Sequence, residues 1–222
     1  MIPKIIHQTW KSIEGMSEEH RYYRRVCLVK NPWWEGWEHR FYTDADCRAT
    51  IEMERPDLLR VYDSYPKNIQ RYDMWRAVVI QAHGGFYADI DMLFEKSLTE
   101  LCTYSCVIPH EFRATIGNYM FAAEPNHPFI NKIIDEMVVR SQMKVNLETD
   151  VYKTTGPILW TDVYQGYPDK ELVHVLQGAY HASGQQGFGS WAIHACSGTW
   201  KQNIAFSRTP WWDDKKYRGG GS

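Results

Sequence analysis

The segment from Asn68 to His83 constrains the fold of this chain more than any other part of the sequence. Apolar side chains occur around most of the circumference that a helix would have here: Ile69, Tyr72, Trp75, Val78, Val79, Ile80 and Ala82. A helix with so little polar surface must be covered on nearly every side by other parts of the protein. Gly84-Gly85 follows and can end the helix in a backbone conformation that glycine adopts readily. The sequence therefore predicts a buried helix that leads into a strand at Phe86 to Phe94.

Predicted strands and helices alternate on both sides of this segment. The other predicted strands are Ile2 to Gln8, Glu38 to Tyr42, Cys106 to Pro109, Tyr119 to Ala123, Val173 to Leu176 and Ala192 to His194. The other predicted helices are Ser17 to Lys30, a helix capped by Asp44 that runs to Met53, a short stretch after Pro56, Pro128 to Arg140 and Ile158 to Tyr164. This alternation predicts the α/β class, and 222 residues suit one domain. We assign that domain to residues 1–218 and interpret residues 219–222 as an added linker.

Charge and hydropathy exclude several classes of protein. The formal net charge is −2 and both signs are mixed along the chain, which argues against a nucleic-acid binder. No apolar run reaches the roughly 18 residues of a transmembrane helix. Five cysteines without zinc-site spacing favour reduced thiols. We therefore expect a cytoplasmic protein, with peripheral membrane contact through Trp211-Trp212 left open.

Two aspartates, Asp89 and Asp91, lie at the end of the predicted strand after the glycine pair. Residues two apart on a strand share a face, so both carboxylates would project together with Tyr87. Without partners they would repel each other and lose solvation. A divalent cation removes that cost, because Mg²⁺ and Mn²⁺ prefer oxygen ligands. The alternative is that one aspartate caps a turn and the other is solvated, and an Asp-x-Asp pattern alone favours this alternative.

Asp73 and Arg76 are charged residues on the predicted buried helix. Residues three apart on a helix are neighbours and can form an ion pair, and a buried charge needs a partner. One interpretation is a private salt bridge that stabilises the helix. The other is that the helix end projects both groups into a cleft, where Asp73 accepts from sugar hydroxyls and Arg76 donates to sugar or phosphate oxygens. Charge burial alone leaves both interpretations open.

The run from Arg71 to Arg76, followed by Gly84 to Asp91, resembles the sugar-binding region of glycosyltransferases that contain an Asp-x-Asp motif. That group includes Och1-like mannosyltransferases of yeast, capsular-polysaccharide transferases and, more distantly, the glucosylating clostridial toxins. Ile2 to Trp10 looks like the first strand of the same family. Looser similarities cover Asn31 to Asp44, Asn118 to Pro128, Thr155-Gly156-Pro157 and His194 to Trp200. The resemblance thus extends over nearly the whole chain.

The resemblance implies a fold of GT-A type, a single domain with a Rossmann-like mixed central sheet flanked by helices. It implies a hexosyltransferase that takes a UDP- or GDP-linked sugar, uses Mn²⁺ or Mg²⁺ and retains the anomeric configuration. The acceptor would be a hydroxyl of a glycan, a glycolipid or a protein. One alternative is a non-catalytic carbohydrate-binding protein, which the ten tryptophans suggest. A second is a metal-dependent nucleotidyl or phosphoryl transferase, but the chain lacks a glycine-rich phosphate loop with lysine.

By the same likeness, the catalytic residues are Asp73, Arg76, Asp89 and Asp91. Asp91 would be a direct metal ligand, Asp89 would help to hold the metal, and His194 could complete the shell through a neutral imidazole nitrogen. A histidine satisfied within the fold remains the alternative for His194. The implied donor-binding residues are Gln8, Trp10, Asp73, Arg76, Tyr87, Asp89, Asn118, Thr199 and Trp200. Among them Trp10 would lie near the nucleotide base, where stacking is chemically sensible.

Overall fold

The computed structural model describes residues 1–111, 115–177 and 186–195. Its strands are β1 (Ile5–Thr9), β2 (Glu38–Tyr42), β3 (Gly85–Ala88), β4 (Met92–Phe94), β5 (Cys106–Pro109), β6 (Met120–Ala123), β7 (His174–Leu176), β8 (Gln186–Phe188) and β9 (Ala192–His194). Its helices are α1 (Glu18–Lys30), α2 (Asp44–Glu54), α3 (Leu59–Ser64), α4 (Asn68–His83), α5 (Pro128–Arg140), α6 (Glu148–Thr154) and α7 (Pro157–Gly166). The alternation of strands and helices confirms the predicted α/β class.

A six-stranded mixed sheet forms the centre of the fold, with the strand order β2-β1-β3-β6-β5-β7. β1 pairs in parallel with β2 on one side and with β3 on the other. The chain therefore places its next strands on both sides of β1, and in open α/β sheets ligands bind at such a reversal of strand order, beyond the carboxyl ends of the strands. A second, antiparallel sheet of three strands has the order β4-β9-β8.

Both faces of the six-stranded sheet are covered by apolar side chains. On one face, Tyr87 and Phe121 pack with residues of α4, α5 and α7 in the larger of two buried clusters. On the other face, Phe86 and Ala88 pack with the small sheet and with Cys27 of α1 in the second cluster. Successive residues of β3 thus point to opposite faces, as the pleat requires. A central strand that is buried on both faces explains why its sequence is nearly all apolar.

Helix α4 has the bounds that the sequence predicts, and it is buried along most of its length. The two positions after this helix require glycine, because other parts of the chain pack too closely against them to leave room for a Cβ atom. Gly85 has a φ of 96°, and a Cβ there would lie 2.5 Å from the Ile5 carbonyl oxygen of β1. Gly84 has a φ of 66°, and a Cβ there would lie 2.7 Å from Pro125 Cδ. Both conformations are strained for residues with a side chain, so glycine lets α4 turn directly into β3.

Two sequence predictions about elements are wrong. The predicted strand Phe86 to Phe94 is divided into β3 and β4, which belong to different sheets and are separated by a turn at residues 89–91. The N-cap of α2 is Thr43 and not Asp44: Thr43 accepts from the Asp46 amide, and Asp46 accepts from the Thr43 amide. A threonine hydroxyl at this position satisfies a helix amide that would otherwise lack a partner. The prediction also omitted α6 and β8.

The state of the cysteines and the presence of membrane-spanning helices can be stated for the described residues. The four cysteines among them, Cys27, Cys47, Cys102 and Cys106, are free thiols. In the same part of the chain, no helix combines the length and the apolar character that crossing a membrane requires.

Candidate active site

The turn at residues 89–91 lies at the carboxyl end of β3 and carries both aspartates of the Asp-x-Asp pattern. The Met92 amide donates to the Asp89 carbonyl oxygen over 3.2 Å, which closes the turn. The Asp89 amide donates to the Tyr119 carbonyl oxygen over 2.8 Å, and the Ala195 amide donates to the Asp91 carbonyl oxygen over 3.0 Å. The two carboxylates therefore converge because the chain turns between two sheets, not because one continuous strand places them on the same face.

His194 brings an imidazole to these carboxylates. It is the last residue of β9, where it pairs in register with Met92 of β4. Its Nε2 atom lies 3.2 Å from Asp91 Oδ1 and 3.8 Å from Asp89 Oδ2. Its ring stacks on Tyr119, with 4.6 Å between the ring centroids. Tyr119 in turn donates from its hydroxyl to the Gly187 carbonyl oxygen over 3.0 Å, so the imidazole rests on a fixed platform.

Asp89, Asp91 and His194 form a donor set that fits a divalent cation. One potential ligand atom from each residue lies within 4.8 Å of the others. Burial raises the pKa of the Asp89 carboxyl, the positive charge of Arg76 lowers it, and the nearby Asp91 carboxylate raises it again. A cation would offset both the burial and the repulsion. Carboxylate oxygens are ligands that suit Mg²⁺ and Mn²⁺, and a neutral imidazole nitrogen can add a third ligand to such a set.

Arg76 connects the buried helix α4 to the aspartate turn. Its Nη2 atom lies 3.3 Å from Asp73 Oδ1, and its Nη1 atom lies 3.4 Å from Asp89 Oδ1. Nη1 also donates to the Asn118 carbonyl oxygen over 2.7 Å, and the guanidinium lies 4.5 Å from the ring centroid of Tyr87. The Asp73 and Arg76 side chains are only 4% and 5% exposed. The pair is therefore not a private salt bridge, because Arg76 also contacts Asp89 and so links Asp73 and Asp89 in one charged network.

Asp73 is held by two hydrogen bonds in addition to its ion pair with Arg76. Asn118 Nδ2 donates to Asp73 Oδ1 over 3.0 Å, and the Thr155 hydroxyl donates to Oδ2 over 2.7 Å. Burial raises the pKa of the Asp73 carboxyl, while the Arg76 charge and these hydrogen bonds lower it. Thr155 was not among the site residues that the sequence predicts. A signal was present, because Gly156-Pro157 marks the start of a helix and so places Thr155 in a tight turn before it.

Tyr87 lies beneath this network on β3. Its hydroxyl donates to Asp89 Oδ1, and burial raises its pKa well above the ordinary value for tyrosine. The phenol therefore stays protonated and acts as a hydrogen-bond donor. In this arrangement Tyr87 orients Asp89, and its ring supports Arg76 from below.

Trp10 and Gln8 lie at the carboxyl end of β1, beside the end of β3. The Trp10 amide donates to the Tyr42 carbonyl oxygen over 3.1 Å, which continues the pairing of β1 with β2. The partly exposed indole packs on His20 of α1, with ring centroids 4.5 Å apart. Gln8 is 4% exposed, and its Nε2 atom has no hydrogen-bond partner among the described residues. Buried amide groups usually have a hydrogen-bond partner. The Gln8 amide is therefore a hydrogen-bond donor at this end of β1 that the described residues do not use.

The predicted site residues thus divide into two groups. The structure brings together Asp73, Arg76, Tyr87, Asp89, Asp91, Asn118 and His194 and places Gln8 and Trp10 at the carboxyl end of the neighbouring strand. Thr199 and Trp200 lie outside the described residues, as do Trp211-Trp212 and the domain end at residue 218. The roles of these residues toward a donor stay predictions.

Comparison with known proteins identifies a sugar-binding region that contains the aspartate turn. Residues 11–108 match the family described as the glycosyltransferase sugar-binding region containing a DXD motif, where DXD denotes Asp-x-Asp. Over 177 residues the chain is 30% identical to inositol phosphoceramide mannosyltransferase 3 of Schizosaccharomyces pombe, covering 78% of this chain and 48% of that protein. Over 173 residues it is 30% identical to an uncharacterised glycosyltransferase of Acanthamoeba polyphaga mimivirus, covering 75% of this chain and 66% of that protein. The chain is thus shorter than these relatives and spans about half the length of the first.

A solved structure gives an independent comparison of the fold. The chain superposes on the PaToxG glycosyltransferase with a TM-score of 0.59 and 22% sequence identity, covering 77% of this chain and 73% of the other. At this identity the likeness concerns the fold alone. It confirms the prediction of a GT-A type fold with a mixed central sheet flanked by helices.

Proposed function

We propose that this chain, a member of the glycosyltransferases that share the DXD-containing sugar-binding region, moves a sugar from a nucleoside-diphosphate donor to a hydroxyl acceptor. One observation carries the proposal. Arg76 links the group of potential metal ligands, through Asp89, to the buried carboxylate of Asp73 at the carboxyl ends of the parallel strands. The proposed cation ligands and the proposed sugar-binding carboxylate are therefore neighbours, beyond the carboxyl ends of the strands, where ligands bind in open α/β sheets.

In this proposal, different residues of the site bind different parts of the donor. Asp89, Asp91 and His194 would hold a divalent cation, for which we propose Mn²⁺, and this ion would neutralise charge that develops on the departing diphosphate. Arg76 would donate to a phosphate or sugar oxygen and stabilise the same charge. Asp73 would accept a hydrogen bond from a sugar hydroxyl. Trp10 would stack on the base, with the unused amide of Gln8 nearby.

We further propose that transfer retains the anomeric configuration. The acceptor oxygen bonds to the anomeric carbon on the face that the diphosphate leaves, while the bond from that carbon to the diphosphate oxygen breaks and the hydroxyl proton passes to the departing diphosphate. Asp73 is a poor candidate for an enzymic nucleophile, because Arg76, Asn118 and Thr155 already engage its carboxylate. Asp89 is similarly engaged by Arg76 and Tyr87. Isolation of a covalent sugar–enzyme adduct would contradict this part of the proposal.

Mannose is the donor sugar that we favour, because several related proteins carry the name mannosyltransferase. The names of two of them also include inositol phosphoceramide, a lipid with an inositol phosphate headgroup, so a glycolipid or glycan hydroxyl is the proposed acceptor. GDP-mannose is accordingly the first donor to test, followed by UDP-glucose, UDP-galactose and UDP-N-acetylglucosamine. Contact with a membrane surface stays a prediction of the sequence.

The test combines donor binding with donor hydrolysis. Each sugar nucleotide is titrated with Mn²⁺ and with EDTA, using the wild-type chain, Asp91→Asn and the matched control Asp135→Asn on the surface of α5. We expect one donor to raise the unfolding temperature and to be hydrolysed only with metal, in the wild type and the control but not in Asp91→Asn. Absence of any metal-dependent donor binding by the wild type would refute the proposed function.

A further inference from the structure

Two adjacent threonines contact the buried helix α4: Thr154 is the last residue of α6, and Thr155 lies in the turn that leads to α7. Thr154 Oγ1 accepts from Gln70 Nε2 over 2.9 Å, and Thr155 Oγ1 donates to Asp73 Oδ2 over 2.7 Å. Both threonines are buried, with exposures of 1% and 0%. Gln70 and Asp73 lie three residues apart on α4 and so face the same side. The two neighbouring residues thus each make one side-chain hydrogen bond to α4, and only the bond from Thr155 reaches a proposed donor-binding residue.

The backbone of this turn fixes where the Thr155 hydroxyl lies. The amides of Thr155 and Gly156 both donate to the Val151 carbonyl oxygen, over 3.0 and 3.1 Å. A Cβ at Gly156 would lie 2.9 Å from Tyr152 Cα, so the turn packs closely against the end of α6. Pro157 then begins α7, where its fixed φ suits the first helical position. The backbone of Thr155 is therefore held by contacts that do not involve Asp73, and its hydroxyl also lies 3.5 Å from the Val151 carbonyl oxygen.

The hydrogen bond from Thr155 decides which part of the Asp73 carboxylate remains available. Asp73 Oδ1 already accepts from Asn118 and is paired with Arg76. Oδ2 accepts from Thr155 among the described residues. An ionised carboxylate has about four acceptor sites, so these three contacts leave about one, on Oδ2. Burial raises the pKa of Asp73, and the Thr155 hydrogen bond opposes that rise and favours the ionised form.

We propose that Thr155 is a positioning residue, whose hydroxyl fixes the rotation of the Asp73 carboxylate so that Oδ2 presents one free acceptor site to a hydroxyl of the donor sugar. This inference rests on the proposed function, since it assumes that Asp73 contacts the sugar. Thr155 itself touches neither sugar nor diphosphate in this arrangement. Its loss should therefore weaken recognition of the sugar while leaving recognition of the nucleoside diphosphate intact.

The experiment compares Thr155→Val with Thr154→Val, two substitutions of the same shape at adjacent buried positions. Affinities for GDP-mannose and for GDP are measured by calorimetry with Mn²⁺, or with the UDP-sugar that the donor screen selects and UDP. We expect Thr155→Val to weaken sugar-nucleotide binding about tenfold or more, the typical effect of losing a hydrogen bond to a charged group. Its affinity for the free diphosphate should stay within about twofold, because the ligands of the diphosphate are unchanged. Thr154→Val should leave both affinities near the wild-type values.

Thr155→Ser retains the hydroxyl and should restore sugar-nucleotide affinity and hydrolysis, and Thr155→Ala replaces Thr155→Val if the valine variant does not fold. Equal losses for GDP-mannose and GDP, or equal losses in Thr154→Val and Thr155→Val, would overturn the inference in favour of a structural role. Unchanged binding in Thr155→Val, with a wild type that binds the donor, refutes this inference alone. A wild type that binds no sugar nucleotide refutes the proposed function and this inference with it.

Discussion

Replacement of Arg76 by methionine tests the charged network of the site most directly. In the wild type its guanidinium lies 3.3 Å from Asp73 and 3.4 Å from Asp89, and the Arg76 and Asp73 side chains are about 5% exposed. At an effective dielectric constant of about 20, two unit charges about 4 Å apart attract each other by about 4 kcal/mol. The variant loses two such attractions but also escapes the cost of burying the guanidinium, which is several kcal/mol. We expect a net loss of about 3–5 kcal/mol in the free energy of unfolding, the usual cost of removing one partner from a buried pair.

This loss should depend on pH with a defined sign. In the fold, burial already raises the pKa of Asp73 above its ordinary value of 3.8, and Arg76 is the main group that lowers it. Without Arg76 the folded-state pKa rises further, so the folded variant keeps a proton that the unfolded chain has released. Stability of the variant therefore falls as the pH rises from about 4 toward the raised pKa. The gap between variant and wild type should be smallest near pH 4 and largest near neutral pH.

Urea unfolding followed by tryptophan fluorescence measures the gap at each pH, with EDTA present so that metal does not contribute. A loss of about 3–5 kcal/mol corresponds to a fall of about 6–20 °C in the melting temperature for a chain of this size. The control is Arg48→Met on α2, which removes an exposed ion-pair partner of Asp63 on α3. It should leave the urea midpoint near the wild-type value. A gap below about 1 kcal/mol at neutral pH, or one that does not change with pH, would refute the reasoning.

Three further predictions concern single contacts. Tyr87→Phe removes the hydroxyl that donates to Asp89 but keeps the ring beside Arg76. Metal-dependent donor hydrolysis should fall about tenfold, while the near-ultraviolet circular dichroism stays unchanged. Hydrolysis at the wild-type rate would contradict this prediction. His194→Gln should weaken Mn²⁺ binding at least about tenfold in a metal titration of the thermal shift, and an unchanged titration would show that His194 is not a ligand. Gly85→Ala places a Cβ 2.5 Å from the Ile5 carbonyl oxygen at a residue with a φ of 96°. It should lower the free energy of unfolding in urea by at least about 1–3 kcal/mol. A variant as stable as the wild type would contradict the close approach of β1 and β3.

Predictions from the sequence were accurate where the determining interactions are local. The apolar residues around Asn68–His83 predicted a buried helix with the bounds that α4 has, because side chains three and four apart share a face in any helix. The spacing of Asp73 and Arg76 allowed the ion pair that they form, for the same reason, but left its role open. Gly84-Gly85 predicted the turn into β3, since both glycines have the positive φ that other residues avoid. The strand after them was predicted too long, because β3 and β4 have similar apolar sequences although they belong to different sheets.

The convergence of distant residues on the site was decided by the tertiary structure alone. Asn118 and Thr155 lie 45 and 82 residues along the chain from Asp73, yet both donate hydrogen bonds to its carboxylate. His194 reaches Asp91 because β9 pairs with β4 in a particular register, and a shift of one residue would turn the imidazole to the other face. By itself the sequence determined where the long helices and the buried segments lie, since those properties follow from neighbours a few positions away, but it did not reveal the short helix α6. Which charges meet depends on strand register and helix packing, and these are set by the whole buried core at once.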